Sequence, residues 1–174
     1  KALLGGEVEA ASLLPPQIAM AEQLGLRKII EDRFHTLRWV PAGFDPAALV
    51  EPQAVTVTAT DGMPIPAQLF VPRDLKAGEK RPGLIFFHGG SRRQMLLNWH
   101  YNYYYRNAYA MNQWLAGQGY VVLSVNYRSG IGYGLDFREA LNYGASGASE
   151  YNDVVGAGLF LRSQPDVDAA KIGL

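Results

Sequence analysis

The chain has 174 residues, of which 48% are hydrophobic and 18% charged, values typical of a globular domain with its own core. Its 16 Lys and Arg residues balance 16 Asp and Glu residues, which argues against the basic surface that a nucleic-acid partner usually requires. Disulfides and thiolate metal sites are excluded because cysteine is absent, and no apolar run approaches the roughly 20 residues that span a bilayer.

The first 50 residues have the least regular pattern. A helix is predicted over 17–32 and a short strand over 36–40, which Pro41 ends. We interpret residues 1–50 as a connector or the edge of a preceding domain. The chain starts at Lys1 without an initiator methionine or a signal-peptide pattern, and we expect it to be a piece of a longer protein.

A β-hairpin is predicted next. Apolar residues alternate around Val55 and Val57, Asp61-Gly62 marks a tight turn, and alternation returns over 65–71. Two alternating runs around Asp-Gly are typical of two antiparallel strands.

The run Leu84–Phe87 predicts a short buried strand, and His88, Gly89 and Gly90 follow it directly. Two glycines there let the backbone turn sharply and leave its N–H groups uncovered, at the sheet edge where α/β proteins bind ligands. One interpretation is an oxyanion-hole loop, with His88 orienting the loop rather than acting as a base. The alternative is a tight turn beside a partly buried histidine.

Three polar residues follow this loop. Ser91 does not fit a Gly-x-Ser-x-Gly elbow, because Arg93 stands two residues after it, so we interpret it as a loop residue. Arg92 and Arg93 have the fork geometry that matches a substrate carboxylate. Solvated or structurally paired arginines are an equally good interpretation.

An aromatic cluster occupies residues 99–105 and includes Tyr103. Such a cluster can line an apolar substrate pocket, although packing of a long loop is the slightly favoured interpretation. The three histidines of the chain, His35, His88 and His100, show no metal-ligand spacing, so no metal site is predicted.

A parallel crossover is predicted from the strand at 84–87, a helix over 107–118 and a second buried strand over 120–125. The helix residues expected to face the sheet are Tyr109, Met111, Trp114 and Leu115.

The glycine-rich run 130–134 does not predict a nucleotide site, because Leu135 stands where the dinucleotide fingerprint needs a small residue. A short helix is expected over 135–143. The clearest helix runs from Ser149, its expected N-cap, to Ser163. Its Asp153 is expected to have a structural role, as the ion-pair partner of Arg128 or of another group at the end of the sheet. Another strand is predicted over 171–174.

Together these motifs resemble the catalytic domain of the prolyl oligopeptidase family of serine peptidases, in particular its dipeptidyl aminopeptidase and acylaminoacyl peptidase branch. The residues that carry the resemblance are Phe87-His-Gly-Gly90, Gly119-Tyr-Val-Val-Leu-Ser-Val-Asn-Tyr-Arg128, Gly130-Ile-Gly-Tyr-Gly134 with Phe137, Glu150 and Asp153, Pro165-Asp-Val-Asp168 and Lys171-Ile-Gly-Leu174.

The resemblance implies an α/β-hydrolase fold, incomplete here, with a mostly parallel sheet and an N-terminal β-hairpin. Residues 51–174 would form the first part of this catalytic domain, and residues 1–50 the tail of a preceding β-propeller. Gly90 would donate its backbone N–H to the oxyanion. The strand that ends at Leu174 would lead into the nucleophile elbow, so the Ser, Asp and His of the triad would all lie beyond it.

The expected activity is hydrolysis of peptide bonds in short peptides through an acyl-enzyme, without a metal or cofactor. The expected partners are a peptide substrate, the remainder of the catalytic domain and the propeller; no membrane partner is expected. A homo-oligomer and the compartment, cytoplasmic or periplasmic, are left open. Two alternatives stay open: a carboxylesterase, and a catalytically inactive fragment or interaction module.

Overall fold

The computed structural model describes residues 49–90, 92–144 and 147–174. The helix and strand predicted within residues 1–48, and the interpretation of Ser91, lie outside these ranges. The strands are β1 (Gln53–Thr58), β2 (Pro64–Phe70), β3 (Arg81–Phe87), β4 (Val121–Val125) and β5 (Val167–Gly173). The helices are α1 (Tyr103–Gly117), α2 (Leu135–Arg138) and α3 (Glu150–Ser163).

The five described strands form one sheet in the order β1-β2-β4-β3-β5. The predicted hairpin is confirmed: β1 pairs antiparallel with β2, and Gly62 in the turn between them has φ +90°. β2 also pairs antiparallel with β4, whereas β4 with β3 and β3 with β5 are parallel. The predicted crossover from β3 through α1 to β4 is therefore confirmed, and the described part of the sheet is mixed.

Helices cover both faces of the sheet, and each face has its own apolar core. On one face α1 contributes Tyr105 and Tyr109, which pack with Phe70 and Val122. On the other face α3 contributes Ala157 and Leu161. The described residues therefore form three layers, and the parallel strands β3 and β4 end at the same edge of the sheet.

The predicted sheet-facing side of α1 is partly wrong. Met111 and Trp114 are 49% and 62% exposed, whereas Asn112 and Gln113 are buried. Burial of Gln113 is compensated because its amide bonds both the N–H and the C=O of Val50 at 2.9 Å. Apolar residues alone therefore do not define the buried face of this helix.

Several predicted boundaries also differ from the structure. α1 begins at Tyr103 because the Asn102 side chain accepts a hydrogen bond from Tyr104 N–H and caps the helix. α3 has the predicted bounds, with Ser149 at the N-cap position and Ser163 as the last residue, but the Ser149 backbone is helical and its side chain makes no cap bond. α2 is a single turn, and β5 begins four residues before the predicted start at Lys171.

Within the described residues, no helix combines the length and the apolar content needed to cross a bilayer.

Candidate functional site

The loop after β3 and the segment after β4 leave the sheet side by side. Phe87 and Val125, the last residues of these two strands, are partners in the parallel ladder. Residues 88–90 and 126–128 therefore meet at the carboxyl edge of the sheet, where open α/β folds bind their ligands.

Gly90 occupies the exposed tip of this loop with φ +67°, a left-handed conformation that glycine adopts without steric cost. Within 49–90, 92–144 and 147–174, the Gly90 N–H has no hydrogen-bond acceptor. An exposed, unpaired N–H at this edge is a donor available to a ligand oxygen.

The three carbonyl groups of the loop are held by two tyrosine hydroxyls. Tyr127 reaches from the segment after β4, and its hydroxyl lies 3.0 Å from the His88 carbonyl oxygen and 2.5 Å from that of Gly90. Tyr105 reaches from the first turn of α1 and donates to the Gly89 carbonyl at 2.7 Å. The loop is thus fixed from two sides by groups that neither belong to it nor adjoin it in sequence.

The His88 ring packs inside the loop. It is 3% exposed, stacks on Tyr127 with 4.5 Å between ring centroids, and meets Tyr105 edge-on. Burial lowers the pKa of His88 below its usual 6.5, and its Nε2 has no partner among the described residues. The ring is therefore neutral near pH 7 and supports the two tyrosines by packing.

The His100 ring also packs against the Tyr105 ring, with 5.2 Å between the ring centroids. Burial lowers its pKa too, and its Nδ1 accepts a hydrogen bond from the Asn102 N–H at 2.9 Å. His100 therefore ties the cap of α1 to the ring that contacts the loop.

The segment after β4 is anchored by the predicted Arg128–Asp153 ion pair, which is confirmed. Arg128 is buried, and its guanidinium and backbone N–H donate to both carboxylate oxygens of Asp153 at 2.6–2.9 Å. Burial raises the pKa of Asp153, and Arg128 opposes that rise. Asp61, in the hairpin turn, also bonds Arg128 and is partly exposed; this bond lowers its pKa to about 2.

The insert that follows the loop is anchored by Asn126. The Asn126 amide bonds both the N–H and the C=O of Met95, at 2.7 and 2.9 Å. The Gln68 side chain donates a second hydrogen bond to the Met95 carbonyl, at 3.0 Å. Met95 is 1% exposed. The long insert is therefore tied to the end of β4.

The three candidate substrate-binding residues lie in different settings. Arg92 is engaged within the chain: it bonds Glu139 at 2.9 Å and stacks over the Tyr143 ring. Arg93 is exposed beside Gly90. Tyr103 is 70% exposed on the first turn of α1. Their binding of substrate stays a prediction.

The described residues place the exposed Gly90 backbone at this edge but contain no assembled nucleophile. None of the described serine hydroxyls bonds a histidine: Ser129 bonds Glu150, Ser163 bonds a backbone carbonyl, and Ser124 and Ser149 have no partner. In these same ranges, no group of three or more His, Cys, Asp or Glu residues is arranged to hold a metal ion.

Sequence reasoning missed the two tyrosines that hold the loop. Tyr127 carried a usable signal, because it follows β4 by two residues and parallel pairing brings that position next to the end of β3. Tyr105 carried none, since only the packing of α1 on the sheet brings its hydroxyl to Gly89.

Comparisons with known proteins agree with this architecture. Residues 106–174 match the sequence profile of the prolyl oligopeptidase family. Mouse dipeptidyl peptidase 8 is 32% identical over 124 residues, which cover 71% of this chain and 13% of that protein. Dipeptidyl aminopeptidase BIII of Pseudoxanthomonas mexicana is 34% identical over 115 residues, covering 63% of this chain and 15% of that protein.

Among solved structures, the crystal structure of puromycin hydrolase is 28% identical to the chain and superposes with a TM-score of 0.62. The match covers 76% of this chain and 20% of that protein. The chain therefore spans a fifth or less of the length of each of these relatives.

Proposed function

Because the chain belongs to the prolyl oligopeptidase family and has the α/β-hydrolase fold predicted from its sequence, we propose that it is the first part of a serine peptidase catalytic domain. The complete enzyme hydrolyses peptide bonds in short peptides. The observation that carries this proposal is the Gly90 N–H at the carboxyl edge of the sheet: the residue is exposed, and no other described residue accepts a hydrogen bond from this N–H.

In the proposed reaction a serine oxygen bonds to the substrate carbonyl carbon, and a histidine takes the serine proton. The carbonyl oxygen gains negative charge and accepts a hydrogen bond from Gly90 N–H. One such donor typically lowers the barrier by about 3 kcal/mol. The C–N bond then breaks as the histidine protonates the leaving amine, and water hydrolyses the acyl-enzyme.

The three residues of the triad are proposed to lie beyond Leu174, since this fold supplies them in the chain order Ser, Asp, His. The absence of a serine–histidine hydrogen bond among the described residues agrees with this placement. The 174-residue chain is therefore expected to be inactive alone. A preceding β-propeller belongs to the same proposal.

The three proposed substrate-binding residues differ in how free they are to contact a substrate. Arg93 is the better candidate for a substrate carboxylate, because it is exposed next to Gly90, whereas Glu139 and Tyr143 already engage Arg92. Tyr103, on the first turn of α1, offers an apolar ring to a substrate side chain.

The test is hydrolysis by the complete protein of a dipeptidyl 4-nitroanilide, an amide, and of 4-nitrophenyl acetate, a simple ester. We expect turnover of the amide, with both activities abolished by a serine-directed phosphonate. Turnover of the ester alone would instead indicate an esterase, and turnover of neither would indicate an inactive protein.

A further inference from the structure

We propose that Tyr105 is a positioning residue that aims the Gly90 N–H at the substrate oxygen, while Tyr127 fixes the two flanking peptide groups. This inference rests on the proposed function and deepens it. It assigns a role in the reaction to two tyrosine hydroxyls that touch neither the substrate nor the nucleophile.

The geometry of one peptide group carries the inference. The Gly89 carbonyl and the Gly90 N–H belong to the same planar unit, and in a trans peptide these two bonds point in opposite directions. The chain contains no cis peptide among its described residues. Because Tyr105 holds the Gly89 carbonyl at 2.7 Å, the Gly90 N–H is directed away from the core.

Glycine makes such a restraint necessary. Gly89 and Gly90 lack the side chains that would limit rotation of the peptide group between them, and an added Cβ at Gly89 would meet no atom within 4 Å. Packing therefore does not fix this group. Two polar contacts reach its carbonyl oxygen: the Tyr105 hydroxyl at 2.7 Å and, more weakly, His88 Nδ1 at 3.4 Å. The Tyr105 bond is the shorter of the two and is the main restraint.

Tyr105 itself is firmly held. It is 5% exposed, and its ring contacts the rings of His88 and His100 at centroid distances of 6.2 and 5.2 Å. It belongs to the first turn of α1, which the Asn102 side chain caps. The hydroxyl therefore approaches Gly89 from a fixed position.

Tyr127 is held from the opposite side. Its neighbour Arg128 is locked by Asp153 and Asp61, and its ring stacks on His88. Burial raises the pKa of the Tyr127 hydroxyl, so it stays protonated and able to donate. Its contacts with the His88 and Gly90 carbonyls hold the peptide groups on either side of the one that Tyr105 holds.

The experiment uses the complete protein with Tyr105→Phe, which removes the hydroxyl and keeps the ring. Loss of an oxyanion donor costs about 10²–10³-fold in kcat, so its misalignment is expected to lower kcat about 10-fold. We expect KM within about twofold of the parent value, because only the transition state uses this bond. Tyr151→Phe, the same change at a 67% exposed tyrosine on α3, is the control and should leave kcat unchanged.

A second readout separates positioning from a structural role. A substrate-like peptide aldehyde forms a tetrahedral adduct with an oxyanion, so Tyr105→Phe should weaken its inhibition in parallel with kcat. The matching peptide alcohol forms no such adduct, and its affinity should not change. If both inhibitors lose affinity equally, or if a folded Tyr105→Phe protein keeps full kcat, the inference is wrong.

If Tyr105→Phe does not fold, Tyr127→Phe serves as the second variant. It should show the same selective loss of kcat and of aldehyde affinity, and normal values would overturn the inference. A parent protein that is active while these variants are unimpaired refutes the positioning role alone. A parent protein without any serine-dependent hydrolysis refutes the proposed function itself.

Discussion

Among single residues, Gly90 combines a backbone conformation and a hydrogen-bonding state that few other residues could supply. Its φ is +67°, and the nearest atom to an added Cβ would be Arg93 Cγ at 3.7 Å. A side chain therefore fits sterically, and the cost of a substitution comes from the backbone conformation.

For Gly90→Ala we expect a stability loss of about 1 kcal/mol, because an L-residue is strained at this φ. We also expect a fall in kcat, since relief of the strain rotates the amide. Gly78→Ala is the matched control, with φ +79° and open space around the added Cβ. Denaturant unfolding and kinetics of the complete protein should show similar stability losses, but only Gly90→Ala should lose activity; equal activities would contradict the assigned role.

Two buried histidines, His88 and His100, make stability depend on pH. In the unfolded chain His88 gains a proton near its usual pKa of 6.5, whereas burial lowers the pKa in the folded state. The unfolded state therefore binds more protons as the pH falls through this window, and stability decreases from pH 7 to pH 5. His88→Gln should reduce this decrease when unfolding is measured at both pH values. An identical decrease in the two proteins would argue against a neutral buried ring.

Residue-level prediction from sequence succeeded where a local pattern was sufficient. The glycines after β3 and the pairing of Arg128 with Asp153 follow from spacing and charge. The Tyr105–Gly89 bond could not be predicted, because it depends on the position of α1 against the sheet. The engagement of Arg92 by Glu139 likewise joins residues far apart in sequence.

Among the elements, α3 approaches the sheet so closely that one of its glycines touches backbone. An added Cβ at Gly156 would lie 2.4 Å from the Thr58 carbonyl oxygen and 2.8 Å from Ala59 Cα. At Gly158, on the same helix, nothing lies within 4 Å. The two positions therefore separate packing from helix propensity.

Gly156→Ala is expected to destabilise the protein by about 1–3 kcal/mol, because the helix must move away from the sheet. Gly158→Ala should instead stabilise it by about 0.5–1 kcal/mol, since alanine is the better helix former. The midpoints of urea unfolding should therefore shift in opposite directions. Shifts of the same sign would contradict the close contact between α3 and β1.

The ion network joins the hairpin turn, the end of β4 and α3. Asp153→Asn should cost about 1.5–3 kcal/mol, because it weakens the charge-assisted hydrogen bonds of the buried arginine, which keeps Asp61 as its second partner. Asp61→Asn should cost about 1 kcal/mol or less, because the Asp61 carboxylate is partly exposed and solvent screens it. Denaturant unfolding of the two variants measures both costs. Equal losses of stability would contradict the unequal burial of the two carboxylates.

Element types were predictable because short apolar runs between turn residues are distinctive. The boundaries of helices and the side that a helix buries were harder to predict. The start of α1 depends on the Asn102 cap, and the buried side of α1 includes Asn112 and Gln113. At the start of α3, Ser149 takes the predicted N-cap position, but its side chain makes no cap bond. Glu150 instead accepts the Gly144 N–H at 2.8 Å and draws the preceding loop to the helix start.

For the molecule as a whole, the described sheet ends at β1 on one side and β5 on the other. We expect the remainder of the proposed catalytic domain to pair with β5. The 174-residue chain alone should therefore associate through this strand edge, which size-exclusion chromatography at several concentrations can detect. A concentration-independent monomer would contradict this expectation.

The fold and family could be predicted at this scale because the motifs occur in family order along the chain. The nucleophile could not be predicted as a numbered residue, because the expected triad lies beyond Leu174. In agreement, no described serine has a histidine partner. The most direct test of the proposed catalytic role is therefore to label the complete protein with a fluorophosphonate probe and map the modified serine by mass spectrometry. We predict one modified serine, in a Gly-x-Ser-x-Gly sequence shortly after Leu174. No labelling, or a labelled serine within residues 1–174, would contradict it.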